Sequence, residues 1–224
     1  MAKINVDFRL LDVSLELHAL EEYLETIEKQ IDHLAASEKL ILDVAILNQC
    51  ITPDDPEWHF EHQNYDHRVE FLLPRFFRGP FLVSLYAVYE ASTTEIARLL
   101  QKGQGLAISI DDLRGEDFLD RAKKYYKHVL NFELCADNSA WQQIKKLSEV
   151  RNAIAHTNGR IEMLRERARQ NILKWENERI GIDTSWGYII VDQAFAKMTF
   201  SKVQSSLEDL VRRYKEWDAG QKTA

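Results

Sequence analysis

Residues 149–160 read EVRNAIAHTNGR, and three of them, Arg151, Asn152 and His156, are residue types that handle phosphate esters. A guanidinium offers a fork of N–H donors that matches phosphoryl oxygens, an imidazole exchanges a proton near neutral pH, and a carboxamide can orient either. At about 100° per residue, Leu147, Val150 and Ile154 share the arc of a helix that must face a core, and Arg151 lies just beside that arc. Glu149, Asn152 and His156 form a separate polar stripe, so Asn152 and His156 point the same way. Arg151 and His156 are roughly 140° apart on an ideal helix. They converge only if the long arginine side chain wraps round, the last turn distorts, or a second protomer contributes. Without convergence, Arg151 pairs with a carboxylate from another helix, and His156 caps a helix end, where a cation meets the dipole favourably.

The helix that positions these residues carries its own boundaries. Asp137, Asn138 and Ser139 supply N-cap candidates for a start near Trp141, and Asn158-Gly159 supplies a left-handed stop. Around it the text is mostly helical. Leu17, Leu20, Leu24, Ile27, Ile31 and Leu34 recur at three- and four-residue steps, which predicts a long amphipathic helix over residues 12–49 for core packing or dimerisation. Residues 50–70, with two prolines, several Asp and three histidines, predict an irregular, solvated connection. His59, His62 and His67 invite a metal reading, but their steps lack any Cys, and no metal is expected there.

Pro74 and Pro80 each suit a helix start, and the apolar run 81–100 predicts a second helix that stops at Lys102 and Gly103. Its length approaches that of a membrane span, but Glu90, Glu95 and Arg98 within it predict a buried bundle helix. Residues 103–115 read as an extended connector. A third helix over GEDFLDRAKKYYKHVLNF has a basic side made by Arg121, Lys123, Lys124, Lys127 and His128, and its Tyr125 and Tyr126 suit core packing or base stacking. EMLRERARQNILKWENER predicts a short fifth helix. Ile180, Ile182, Tyr188 and Ile190 then alternate around a turn at 185–187, which predicts a small hairpin before a last amphipathic helix.

Composition bounds the function classes. Four prolines and eight glycines in 224 residues leave little room for long loops or linkers, so a single mostly helical domain over 1–224 is the simplest organisation. Cys50 and Cys135 are the only cysteines, too few for a disulfide framework and too far apart for a zinc pair. Acids from the seventh residue onward argue against a signal peptide or a membrane span at the start, and the expected location is cytoplasmic. A net charge of -7 argues against broad duplex binding but leaves room for a local basic site. No Gly-rich phosphate loop is present, so no cofactor is expected.

RNAIAH resembles the R-x-x-x-x-H motif of the HEPN family (higher eukaryotes and prokaryotes nucleotide-binding). The resemblance extends to LVSLYAVYEAS, a connector ending in DDLRG, RAKKYYKHVL and W-x-x-I-x-x-L-x-x-VRNAIAH-x-NG, and covers roughly residues 70 to 215. It implies an all-α, HEPN-like helical bundle with its core in 70–217, to which the residue patterns add the long N-terminal helix in 1–50 and the small β-hairpin before the last helix. It further implies a homodimer in which the two motif helices meet, so that Arg151 and His156 of two chains surround one phosphate. The implied activity is a metal-independent endoribonuclease that leaves 2′,3′-cyclic phosphate and 5′-hydroxyl ends, with Arg151, Asn152 and His156 as its catalytic residues.

Glu90, an acid in the most apolar helix, is the expected partner of Arg151. Arg160 and Arg165 are candidates for holding RNA, although Glu162 and Glu166 interleave with the arginines of this stretch. In the toxin branch silenced by nucleotidylation, a tyrosine follows the motif histidine by two places. Here Asn158 stands there, so that control is not expected and toxin status is open. Two other classes compete with the ribonuclease: a non-catalytic HEPN-like module that binds RNA or nucleotide and dimerises, and a metal-dependent hydrolase built on His59, His62 and His67. An antitoxin or other regulatory partner, in a toxin or phage-defence setting, fits the first class.

Overall fold

The computed structural model describes residues 10–223. Residues 1–9, which carry part of the start read as unlike a signal peptide, and Ala224 lie outside the described residues. The chain is all-α, with a long N-terminal helix and a two-stranded antiparallel hairpin before the last helix.

Helix α1 (Leu11–Gln49) buries Leu17, Leu20, Leu24, Ile27 and Ile31 along the expected stripe. It ends where Cys50 turns left-handed and the Ile51 amide reaches back to the Ile46 carbonyl. Its last turns instead leave Leu40, Ile41, Val44 and Leu47 exposed. Residues 50–70 correct the expectation of a loop, because helix α2 (Pro56–Asp66) occupies most of them. Proline is favoured at a first helical position, where its missing N–H is not needed. Asp55 closes the preceding turn by accepting from the Thr52 amide and hydroxyl at 2.6 and 2.8 Å.

A π-helical turn, His67–Leu72, joins α2 to α3 (Leu73–Gln104). Pro80 therefore lies inside a helix instead of starting one, and the left-handed residue after that helix is Gly105, not Gly103. Gly103 is needed for close approach: a Cβ there would meet the Trp217 ring at 2.5 Å. Helix α4 (Phe118–His128) is capped by Asp117 and α5 (Asn138–Thr157) by Asp137, which accepts from the Ser139 amide at 2.7 Å. After α6 (Glu166–Asn177) come β1 (Ile182–Ser185), β2 (Tyr188–Val191) and α7 (Gln193–Thr223). Trp186 and Gly187 both have positive φ, which makes the two-residue turn that suits the twist of paired strands.

The described residues gather into two compact units. One holds the chain up to Glu21, Ser84–Glu149 and the chain from Met198 on. Its core includes Leu85, Tyr89, Ile96, Ile144, Leu147, Val203 and Leu207. Tyr125 and Tyr126 are both buried there, their hydroxyls donating to the Ile108 and Thr93 carbonyls at 2.8 and 2.7 Å, so neither is a base-stacking platform. The run Pro56–Gln104 is long and apolar enough by composition to cross a membrane, and its Phe81, Leu82, Leu85 and Tyr89 are buried in the protein.

The other unit holds Glu22–Val83 and Val150–Lys197. Glu28 lies on the buried face of α1, where Arg78 of α3 grips it with Nε and Nη2, each at 2.8 Å. Arg78 Nη1 also donates to the Val191 carbonyl of β2 at 3.3 Å. The side chains are only 11% and 7% exposed, so each charge depends on the other. Glu28→Ala, which strands Arg78, is expected to lower unfolding stability by about 3–5 kcal/mol in a urea titration. Leu47→Ala, on the exposed end of α1, is expected to change it by less than about 0.5 kcal/mol.

Candidate active site

The last two turns of α5 place Arg151, Asn152 and His156 in the second unit. Leu147, Val150 and Ala153 are buried, Glu149, Arg151, Asn152 and Ile154 half-buried and His156 exposed, so Ile154 of the expected arc is covered no more than the stripe residues Glu149 and Asn152. Arg151 Nη1 donates to Asn152 Oδ1 at 2.9 Å. That bond turns the guanidinium from the edge of the apolar arc toward the stripe that carries His156, in the sense of the wrapped side chain.

The helix stop determines how His156 is displayed. Asn158 and Gly159 both have positive φ, and the Gly159 amide returns to the Ala153 carbonyl at 3.0 Å. The Thr157 hydroxyl donates to the same carbonyl at 2.7 Å. The outgoing chain is then strapped to the hairpin: the Ile189 amide donates to the Gly159 carbonyl at 2.9 Å, and the Ile161 amide to the Gly187 carbonyl at 3.0 Å. These two bonds make a single antiparallel bridge between Arg160 and Tyr188, which ties the chain leaving the motif helix to the hairpin.

Arginines gather at this end. Arg75 of α3 donates from Nη2 to the Asn158 carbonyl at 3.1 Å, which places a cation at the negative end of α5. Arg160, an expected RNA contact, donates from Nε to the Tyr188 hydroxyl at 3.0 Å. Arg165 is exposed at the N-cap position of α6, and no described contact brings it to Tyr188. Glu90 belongs to the first unit, is half-buried, and accepts from the Thr94 hydroxyl through its backbone carbonyl. Its pairing with Arg151 remains an expectation from the sequence.

The three histidines of 50–70 pack on aromatic rings, His59 edge-on to Trp58 with centroids 5.3 Å apart. His62 stacks on Trp58 with ring centroids 3.6 Å apart, and His67 packs against Phe71 and Trp186 at 4.9 and 5.2 Å. Among the described residues, no group of three or more His, Cys, Asp or Glu side chains is arranged to hold a metal ion. The sequence pattern marks Tyr188 as a strand residue and does not single out Arg75. The alternation of basic and aromatic residues in PRFFRGPF is the signal for this contact, and it also fits a helix start.

Compared with known proteins, the chain matches no family model, no curated protein and no solved structure. The site therefore rests on its geometry and on the resemblance of its motif.

The helix stop yields a paired expectation. Gly159→Ala puts a Cβ on a left-handed residue and should cost about 1–2 kcal/mol. Asn158→Gly relieves the same constraint one residue earlier and should leave stability unchanged or raise it by a few tenths of a kcal/mol. Thermal melts of the two variants beside the parent check the opposite signs.

Proposed function

We propose that this protein is a metal-independent endoribonuclease of the HEPN type, cytoplasmic and active as a homodimer through its motif helices. The observation that carries the reading is the Arg151–Asn152 bond, which turns a guanidinium toward the stripe on which His156 stands exposed. The motif resemblance supplies the reaction. No cofactor is required by this chemistry. The resemblance also suggests a toxin or phage-defence setting with an antitoxin or other protein that restrains the enzyme.

In the proposed reaction, one imidazole takes the proton of an RNA 2′-hydroxyl, and the freed oxygen attacks the adjacent phosphorus. The bond from phosphorus to the 5′-oxygen breaks, and that oxygen leaves with a proton given by the second imidazole. The products are a 2′,3′-cyclic phosphate and a 5′-hydroxyl, with atoms and charge balanced. Arg151 holds the non-bridging oxygens as their charge grows, and Asn152 keeps the guanidinium in place. A dimer supplies the two histidines and lets the arginine of one chain meet the histidine of the other.

The test is cleavage of a mixed RNA pool in EDTA with the product ends identified. Wild-type protein should give cyclic phosphate ends, His156→Ala should be slower by about a hundredfold or more, and Arg151→Ala by about a hundredfold. Mixing the Arg151→Ala and His156→Ala chains should not restore activity, because the heterodimer holds only one of the two histidines that the reaction uses. Cleavage that EDTA abolishes, or that His156→Ala leaves unchanged, would contradict the reading. Tight RNA binding without cleavage by dimeric wild-type protein would point to the non-catalytic module.

A further inference from the structure

Four side chains beside the motif end alternate ring and cation. The Arg75 guanidinium lies 4.8 Å from the centroid of the Phe76 ring and 4.1 Å from that of Tyr188, and Arg160 approaches the Tyr188 centroid at 5.6 Å. Cation–π attraction orders such an arrangement, yet it brings two positive groups to one phenol ring. Among the described residues, the one carboxylate within 4.0 Å of either cation is Glu162, at 4.0 Å from Arg160, and both of those side chains are well exposed, so the pair does little to neutralise the cluster. The described hydrogen bonds use one guanidinium nitrogen of Arg75 and one of Arg160. Each guanidinium has five N–H donors. The series ends in Phe76, whose side chain is 57% exposed although it stands next to the apolar cleft lined by Gly79 and Ile154.

We propose that Arg75, Tyr188 and Arg160 form a phosphate subsite for single-stranded RNA, and that Phe76 stacks the base that follows. The identity of the ligand rests on the ribonuclease reading of the neighbouring motif. The chemistry of the cluster is its own. Ordered guanidinium forks suit phosphate oxygens, and an open aromatic ring accepts any base, so the subsite grips the strand without reading its sequence. A single strand is required because a base must leave its stack to lie on Phe76. Arg75, which bonds the carbonyl two residues beyond His156, places this grip beside the proposed chemistry.

The experiment measures binding of a fluorescently labelled oligouridylate to the full-length protein carrying His156→Ala, which prevents turnover, by anisotropy across a salt series. Adding Arg75→Ala should weaken binding by about tenfold and make the salt dependence shallower by about one phosphate contact. Adding Phe76→Ala should weaken it by about tenfold with the salt dependence unchanged. Phe76 is exposed, so this variant is expected to fold, and thermal melts verify each protein.

If the parent fails to bind the oligomer, or if Arg75→Ala and Phe76→Ala both bind as the parent does, the subsite is overturned. The second result beside normal cleavage by wild-type protein would remove the subsite and leave the ribonuclease standing. Binding that depends on Arg75 and Phe76, beside a wild-type protein that never cleaves, would keep the subsite and remove the ribonuclease.

Discussion

Arg78 spreads its donors over two elements at once. Two nitrogens grip Glu28 on α1 and a third reaches the Val191 carbonyl of β2, while the arginine itself belongs to α3. A well-packed apolar pair often stabilises a buried site as much as an ion pair does, since two charges must lose their water to meet. What the ion pair adds is geometry. A carboxylate accepts a guanidinium fork in few orientations, so the hairpin is fastened to the two helices in a defined register. Gly181, at the start of the hairpin, and Asp192, at its end, complete the frame: the Gly181 carbonyl accepts the Asp192 amide, and Asp192 caps α7 through the Phe195 amide.

The fastened hairpin in turn governs the end of α5. A helix terminus normally frays because its last carbonyls have no partners. Here the chain leaves through two left-handed residues and is bonded on the far side to Ile189 and Gly187. His156 thus stands exposed on a helix whose exit is bonded to the hairpin, and a fixed position is what a proton-transfer group requires. Arg75 and Arg160 sit at the same end, drawn by a helix carbonyl and by the Tyr188 ring. The charge that would attract an anion is therefore local, which reconciles it with an acidic chain.

How far the sequence could be read follows the distance over which each feature is decided. Helix stops at Asn158-Gly159 and the hairpin turn at Trp186-Gly187 were legible because left-handed residues act within a few positions of themselves. The α1 stripe was legible from period alone, but Glu28 within it was not, because its partner lies 50 residues away on another helix. Helix α2 was hidden by its own signals: Asp and Pro usually mark a loop, yet the same residues begin a helix when Pro takes the first position. The contact of Arg75 with Tyr188 joins two elements that the text presents separately.

The hairpin holds the end of the motif helix through the bridge between Arg160 and Tyr188. Amide hydrogen exchange on the native full-length protein tests this directly at Ile161 and Ile189, whose amides bond to Gly187 and Gly159. Both amides are expected to exchange as slowly as those paired across β1 and β2, and far more slowly than open turns. Exchange of these two amides at loop rates, while the hairpin and α5 stay protected, would show that the motif end is not held and would contradict this account.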